Sequence, residues 1–115
     1  MSVLDRFRLD GRKAIITAGS RGLGLSMAKA LAEAGADLLL VSKTLENLEA
    51  ARNSLLSTGR NVEIVAADLS QPEVVETTCQ MIVEDHGPID IVINNVGGRL
   101  LNVAVVGQLF CQRLV

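Results

Sequence analysis

The sequence predicts an α/β protein: a doubly wound parallel sheet with strand order 3-2-1-4, truncated, with a short C-terminal helix. Three observations predict it. Short apolar runs alternate with longer amphipathic stretches in the order β-α-β-α-β-α-β. The short runs are continuously apolar, as in a parallel sheet covered on both faces. A glycine cluster sits directly between the first run and the first amphipathic stretch.

Taken in order, Lys13–Thr17 (KAIIT) is the first strand. Gly22–Ala34 follows as a helix whose apolar residues Leu23, Met27, Ala30, Leu31 and Ala34 recur at helical spacing, and Gly35 stops it. Asp37–Ser42 (DLLLVS) is the second strand. Thr44 is placed to cap a helix from Leu45 to about Ser57, burying Leu48, Ala51, Leu55 and Leu56, with Gly59 after its end. Val62–Ala67 (VEIVAA) is the third strand. Ser70-Gln71-Pro72-Glu73 has the pattern of a capping box, with proline tolerated in the first turn. That helix runs to about Asp85; His86 and Gly87 finish it and Pro88 prevents continuation. Ile89–Asn94 (IDIVIN) is the fourth strand. Residues 1–98 thus form one binding portion and 99–115 an irregular tail with a candidate helix.

The 115 residues suffice for one small domain. With 49% hydrophobic and 21% charged residues, the chain should bury a core. A net charge of −2 with mixed signs argues against nucleic acid or an acidic membrane as partner. Cys79 and Cys111 form no close-spaced pattern, and with the lone His86 they are too few for a zinc site. Two lone thiols, a charged N-terminus and no long apolar run lead to the expectation of a cytoplasmic protein.

Thr17–Gly24 reads TAGSRGLG. Glycines at a strand-to-helix turn let the backbone approach a pyrophosphate, and the free N–H groups and helix dipole favour the anion. No lysine follows Gly24, which excludes a P-loop. The spacing G-x-x-G-x-G at Gly19, Gly22 and Gly24 fits a tight turn as well as a nucleotide site; the βαβ context favours the latter. TAGSRGLG resembles the T-G-x-x-x-G-x-G fingerprint of the short-chain dehydrogenase/reductase family. Asp68-Leu69 stands after strand three, where that family places an acidic residue beside the adenine. Asn94-Asn95-Val96-Gly97 resembles its N-N-A-G, and FRLDGRKAIIT its lead into the first strand. The likeness covers about residues 7–98 and implies a Rossmann-like fold binding a nicotinamide dinucleotide. The lead and helices faintly resemble gluconate 5-dehydrogenase-like and 3-oxoacyl carrier-protein reductase-like members. One departure is Ala18, which stands at the family's first glycine and is expected to alter cofactor affinity without abolishing it.

An NAD site commonly carries an acid about 20 residues after the glycine loop, bonded to the ribose 2′-hydroxyl. Here the second strand ends Val41-Ser42-Lys43, with no acid. Ser42 can donate to a 2′-phosphate, and Lys43 and Arg21 can pair with it, so NADP(H) is expected over NAD(H). The resemblance implies the same preference. The expected cofactor-binding set is Thr17, Gly19, Ser20, Arg21, Gly22, Leu23, Gly24, Ser42, Lys43, Asp68, Leu69, Asn95, Val96 and Gly97. Asp68 has a second reading as a turn cap, and Asn94 and Asn95 as strand-end residues near the ligand. His86 reads as a helix C-terminal residue suited to the dipole.

The resemblance also implies chemistry that the residues do not supply. Hydride transfer in that family uses a tyrosine as proton donor, a lysine in Y-x-x-x-K spacing, a serine and an asparagine, and such a donor needs a pKa drawn toward neutral. The chain contains no tyrosine. Its lysines are Lys13, Lys29 and Lys43, all in the first half. No catalytic residue is therefore assigned. In the tail, Gly107 and Phe110 resemble a later family helix, but the asparagine position would fall on Ala104, with Asn102 two residues early. An internal deletion joining GRLLNVAV to that helix is one explanation; a disrupted reading frame is the rival. IDIVIN would then be an open apolar edge, which invites self-association.

Three functions remain in view, in this order. The first is the NADP(H)-binding portion of an oxidoreductase, incomplete alone. The second is a non-catalytic NADP(H)-sensing or interaction module pairing with a full-length relative. The third is an enzyme completed by a second chain that supplies the tyrosine and lysine.

Overall fold

Alternate residues of the first two strands point to opposite faces of one sheet, and each face has its own core. The computed structural model describes residues 2–18, 22–69 and 71–95. Its elements are α1 (Val3–Arg6), β1 (Lys13–Thr17), α2 (Gly22–Glu33), β2 (Asp37–Ser42), α3 (Leu45–Ser54), a 3-10 turn (Leu56–Thr58), β3 (Val62–Ala66), α4 (Pro72–His86) and β4 (Ile91–Ile93). The four strands are parallel in the order β3-β2-β1-β4, the doubly wound order expected from right-handed crossovers. Ala14 and Ile16 of β1 and Leu38 and Leu40 of β2 face α2 and α3, packing with Ala28, Ala32, Leu48, Ala51 and Leu55. Ile15, Leu39 and Val41 face α4, packing with Val75, Cys79 and Ile82. Both central strands are therefore apolar at every interior position because both their faces are covered.

The helices differ from the expected ones in their buried faces and caps. On α2 the buried residues are Gly24, Ala28 and Ala32, not the predicted stripe. Leu23 is 68% exposed and Ala30 is also exposed, while Leu25 and Leu31 flank the core. Small residues at i, i+4 and i+8 let the helix lie close to the sheet, which a reading weighted toward large apolar residues misses. On α3, Leu48, Ala51 and Leu55 are buried as expected, but Leu56 is 67% exposed in the 3-10 turn. Thr44 occupies the N-cap of α3 without a side-chain cap bond; its backbone carbonyl accepts from the Leu48 N–H at 3.2 Å. At α4 the cap is Gln71, whose carbonyl accepts from Val74 and Val75 at 3.0 and 3.1 Å, with Pro72 at the start of the helix. The capping box on Ser70 is thus corrected: with the cap at Gln71, Glu73 is one residue too early to close it. Gly87 ends α4 at φ 74°, a left-handed turn that glycine adopts without steric cost.

Strand β4, Ile91–Ile93, is shorter than Ile89–Asn94, although the Asp90 N–H still donates to the Lys13 carbonyl at 2.9 Å; side chains add to the ladder at both ends. The Asp90 carboxylate accepts from the Lys13 N–H at 2.9 Å. At the other end, Asn94 and Asn95 turn to Thr17. The short helix α1 was not expected, yet its signal is in the sequence: Ser2 and Asp5 form a reciprocal capping box. The predicted tail of residues 99–115, its candidate helix and Cys111 lie outside the described residues.

At the edge of the sheet where the strands begin, three half-buried groups close the α4 face. Lys13 Nζ donates to Glu63 Oε1 at 2.7 Å and to the His86 carbonyl at 2.8 Å. The other carboxylate oxygen of Glu63 pairs with His86 Nδ1. His86 does end α4, as read, but its partner on β3 lies 23 residues away in sequence. Burial alone would raise the Glu63 carboxyl; the hydrogen bonds from Lys13 and His86 and their charges outweigh it and hold it below its ordinary range. A depressed carboxyl adds stability that is complete above its unfolded-state value of about 4.3 and is lost as pH falls through the folded one. We therefore expect the melting temperature to fall below about pH 4 and Glu63→Gln to flatten that acid limb, as followed by thermal melts across pH.

Candidate functional site

The opposite edge of the sheet, where the strands end, holds those of the predicted residues that the structure describes. β1 lies between β2 and β4: the chain leaves β1 through α2 on one face toward β2, and reaches β4 through α4 on the other face, so the strand order reverses between β1 and β4. In open α/β sheets, ligands bind at that reversal of strand order. α2 begins at Gly22, directly beyond the end of β1, so its N-terminus opens onto this edge. The N–H groups of its first turn have no acceptor within the helix, and the dipole makes the spot favourable for an anion.

Thr17 is the hub of this edge. It is fully buried. Its hydroxyl donates to Asn94 Oδ1 at 2.9 Å and accepts from the Asn95 N–H at 2.8 Å. One hydroxyl therefore ties the end of β1 to the end of β4, and Thr17 shapes the site from beneath. Beside it, the Ala18 N–H donates to the Val41 carbonyl at 2.7 Å, tying the turn to β2. Ala18 adopts φ 54°, in the left-handed region. Gly24 packs directly above: a Cβ there would overlap the Ala18 carbonyl oxygen and lie 2.9 Å from Asn95 Nδ2. Its missing side chain is what lets α2 approach β1 and β4 at this point. The spacing of TAGSRGLG marked the glycine, and Ala18 stood out as the residue at the family's first glycine; its left-handed φ came only with the structure.

The remaining predicted residues stand around this centre. Leu23 is exposed on the first turn of α2. Ser42 is half-buried at the end of β2, and its carbonyl accepts from the Ala67 N–H at 2.8 Å, tying β2 to β3. Lys43 is exposed immediately after it. Asp68 is half-buried beyond β3, and its carboxylate accepts from Gln71 Nε2 at 3.4 Å, a contact that suits its second reading as a turn residue. The Leu69 side chain is 5% exposed and belongs to the core facing α4, which leaves its backbone for any contact with a ligand. Gly19, Ser20, Arg21, Val96 and Gly97 lie outside the described residues. The structure thus brings Thr17, Gly22, Leu23, Gly24, Ser42, Lys43, Asp68, Leu69 and Asn95 to one edge.

Comparison with known proteins points the same way. The family model described as short chain dehydrogenase matches residues 12–109. An uncharacterised oxidoreductase of Mycobacterium tuberculosis is 47% identical over 100 residues, which cover 87% of this chain and 38% of that protein. Gluconate 5-dehydrogenase of Gluconobacter oxydans is 38% identical over 97 residues, covering 84% of this chain and 38% of that protein. Among solved structures, L-sorbose reductase from Gluconobacter frateurii, complexed with NADPH and L-sorbose, superimposes with a TM-score of 0.83 at 26% identity. It covers 94% of this chain and 48% of the reductase. A short-chain type dehydrogenase/reductase from Mycobacterium marinum gives 0.85 at 29% identity, covering 99% and 53% of the two chains. The chain therefore spans less than half the length of the curated relatives it matches.

Proposed function

Because the chain belongs to the short-chain dehydrogenase family, we propose that it is the NADP(H)-binding portion of an oxidoreductase that moves a hydride between nicotinamide and a carbonyl or alcohol carbon. The observation that carries the reading is the turn from β1 into α2 at the reversal of strand order, where Gly24 lets helix, strand and Asn95 meet. The first-turn backbone at Gly22, Leu23 and Gly24 would hold the pyrophosphate, with Gly19 and Ser20 completing the loop. Ser42, Lys43 and Arg21 would take the 2′-phosphate, Asp68 and the Leu69 backbone the adenine side, and Asn95, Val96 and Gly97 the nicotinamide side. The bound dinucleotide supplies the hydride; these residues bind and orient it. Support for NADP(H) over NAD(H) is the end of β2, where Ser42 and Lys43 stand and no acid does. An NADPH complex of a structural relative adds to it.

The 115 residues contain no tyrosine, so a tyrosine proton donor would have to come from outside them. On this reading the chain binds but does not catalyse by itself. The same observation favours a second reading, a non-catalytic NADP(H)-sensing or interaction module that pairs with a full-length relative or with itself. Among the described residues no helix is long and apolar enough to cross a membrane. The proposed cytoplasmic location rests on the two lone thiols, Cys79 and Cys111. The test is a fluorescence titration with NADPH and NADH. NADPH should bind at least about tenfold tighter, a gap of about 1.4 kcal/mol, and Lys43→Asp should narrow the gap. Equal affinities for the two nucleotides would sink the NADP(H) assignment.

A further inference from the structure

We propose that Ala18 is a positioning residue of the dinucleotide site: a strained, left-handed alanine that stiffens the turn from β1 into α2 at some loss of fold stability. The proposal rests on the dinucleotide reading above. Among the described residues Ala18 is the one non-glycine at positive φ; the other left-handed positions are Gly11, Gly22, Gly35, Gly59 and Gly87. An L-alanine there brings its Cβ against the following carbonyl oxygen, which glycine avoids. Such a conformation persists only where the surroundings over-determine it.

The surroundings do so from both sides. The Ala18 N–H is held by the Val41 carbonyl at 2.7 Å. Its carbonyl oxygen lies against Gly24, in the space a Cβ on that residue would fill. The preceding residue, Thr17, is fully buried and tied to Asn94 and Asn95. The alanine is thus bonded to β2 through its N–H, and its carbonyl oxygen packs against Gly24 of α2. The methyl group then has a second effect. It bars most of the backbone conformations that glycine would sample at position 18, so this residue enters binding already ordered.

Replacing Ala18 with glycine should therefore move stability and affinity in opposite directions. Strain is relieved in the ligand-free fold, while the ligand must now order a looser turn. A residue with a merely structural role would change the melting temperature and leave affinity alone.

The experiment compares three full-length chains: wild type, Ala18→Gly, and a chain with D-alanine at position 18, assembled by ligation at Cys79. D-alanine favours the left-handed backbone and keeps the methyl group. Each is melted without ligand and titrated with NADPH and NADH. We expect Ala18→Gly to melt several degrees higher than wild type yet to bind NADPH about three- to tenfold more weakly. The D-alanine chain should also melt higher, with affinity restored to within about twofold of wild type. If wild type binds and Ala18→Gly binds as tightly or melts no higher, the proposal falls while the dinucleotide reading stands. If none of the three binds either nucleotide, the dinucleotide reading itself falls and takes the proposal with it.

Discussion

Gly24→Ala is expected to lower fold stability by about 2–3 kcal/mol and to abolish measurable dinucleotide binding. Two effects oppose each other. In an exposed helix, alanine would gain about 1 kcal/mol over glycine from propensity alone. Here the added Cβ would overlap the Ala18 carbonyl oxygen and crowd Asn95 Nδ2 at 2.9 Å. The first of these is a backbone atom, fixed because the Ala18 N–H is bonded to Val41. Relief requires α2 to lift off the sheet, which opens the packing of Ala28 and Ala32 against Ile16, Leu38 and Leu40. Overpacking outweighs propensity, and the same shift moves the first-turn N–H groups away from where a pyrophosphate would sit. Calorimetry should show a melting temperature lower by about 10 °C, and NADPH titration should show no saturation. An unchanged melt with retained binding would remove Gly24 from the centre of the site.

The second large effect is in the core. Leu39→Ala should cost about 3 kcal/mol, because Leu39 is fully buried in the middle of β2 and cannot be replaced by its neighbours without a cavity. It sits between Ile15 on β1 and Glu63 on β3 in register, so its loss also opens the apolar cover beside the Lys13, Glu63 and His86 cluster. Against a total stability of about 5–15 kcal/mol, that loss removes a large fraction. Leu56→Ala is the contrast: Leu56 is 67% exposed and should change stability by no more than about 0.5 kcal/mol. Denaturant titrations of both variants measure the difference. Equal costs at the two sites would restore the predicted burial of Leu56 and undo the observed face of α3.

What the sequence made legible follows from which forces are local. β1 and β2 have the predicted bounds because apolar runs buried on both faces carry their own signal. The strand order followed from chain handedness and needed no side-chain detail. The face of α2 was misjudged because Gly24, Ala28 and Ala32 contribute by being small, and closeness of approach is a tertiary property. Gln71 replaced Ser70 as cap because the helix starts on Pro72, which the capping-box pattern leaves open. The Lys13, Glu63 and His86 cluster joins two strands and a helix across 73 residues and has no signature along the chain. At the candidate site, glycine spacing located the turn and Ser42-Lys43 stood out by lacking an acid. The hydroxyl of Thr17 as a tie between β1 and β4, and the left-handed Ala18, needed coordinates.

The central claim is that a dinucleotide binds at the strand-end edge around the turn from β1 into α2. Amide NMR of the labelled chain titrated with NADPH tests it most directly. The claim predicts saturable shifts at Ala18, Gly22, Leu23, Gly24, Ser42, Lys43 and Asn95, with Lys13, Glu63 and His86 at the far edge unmoved. Saturable shifts centred on the far edge, or no shifts at saturating NADPH and NADH, would contradict it.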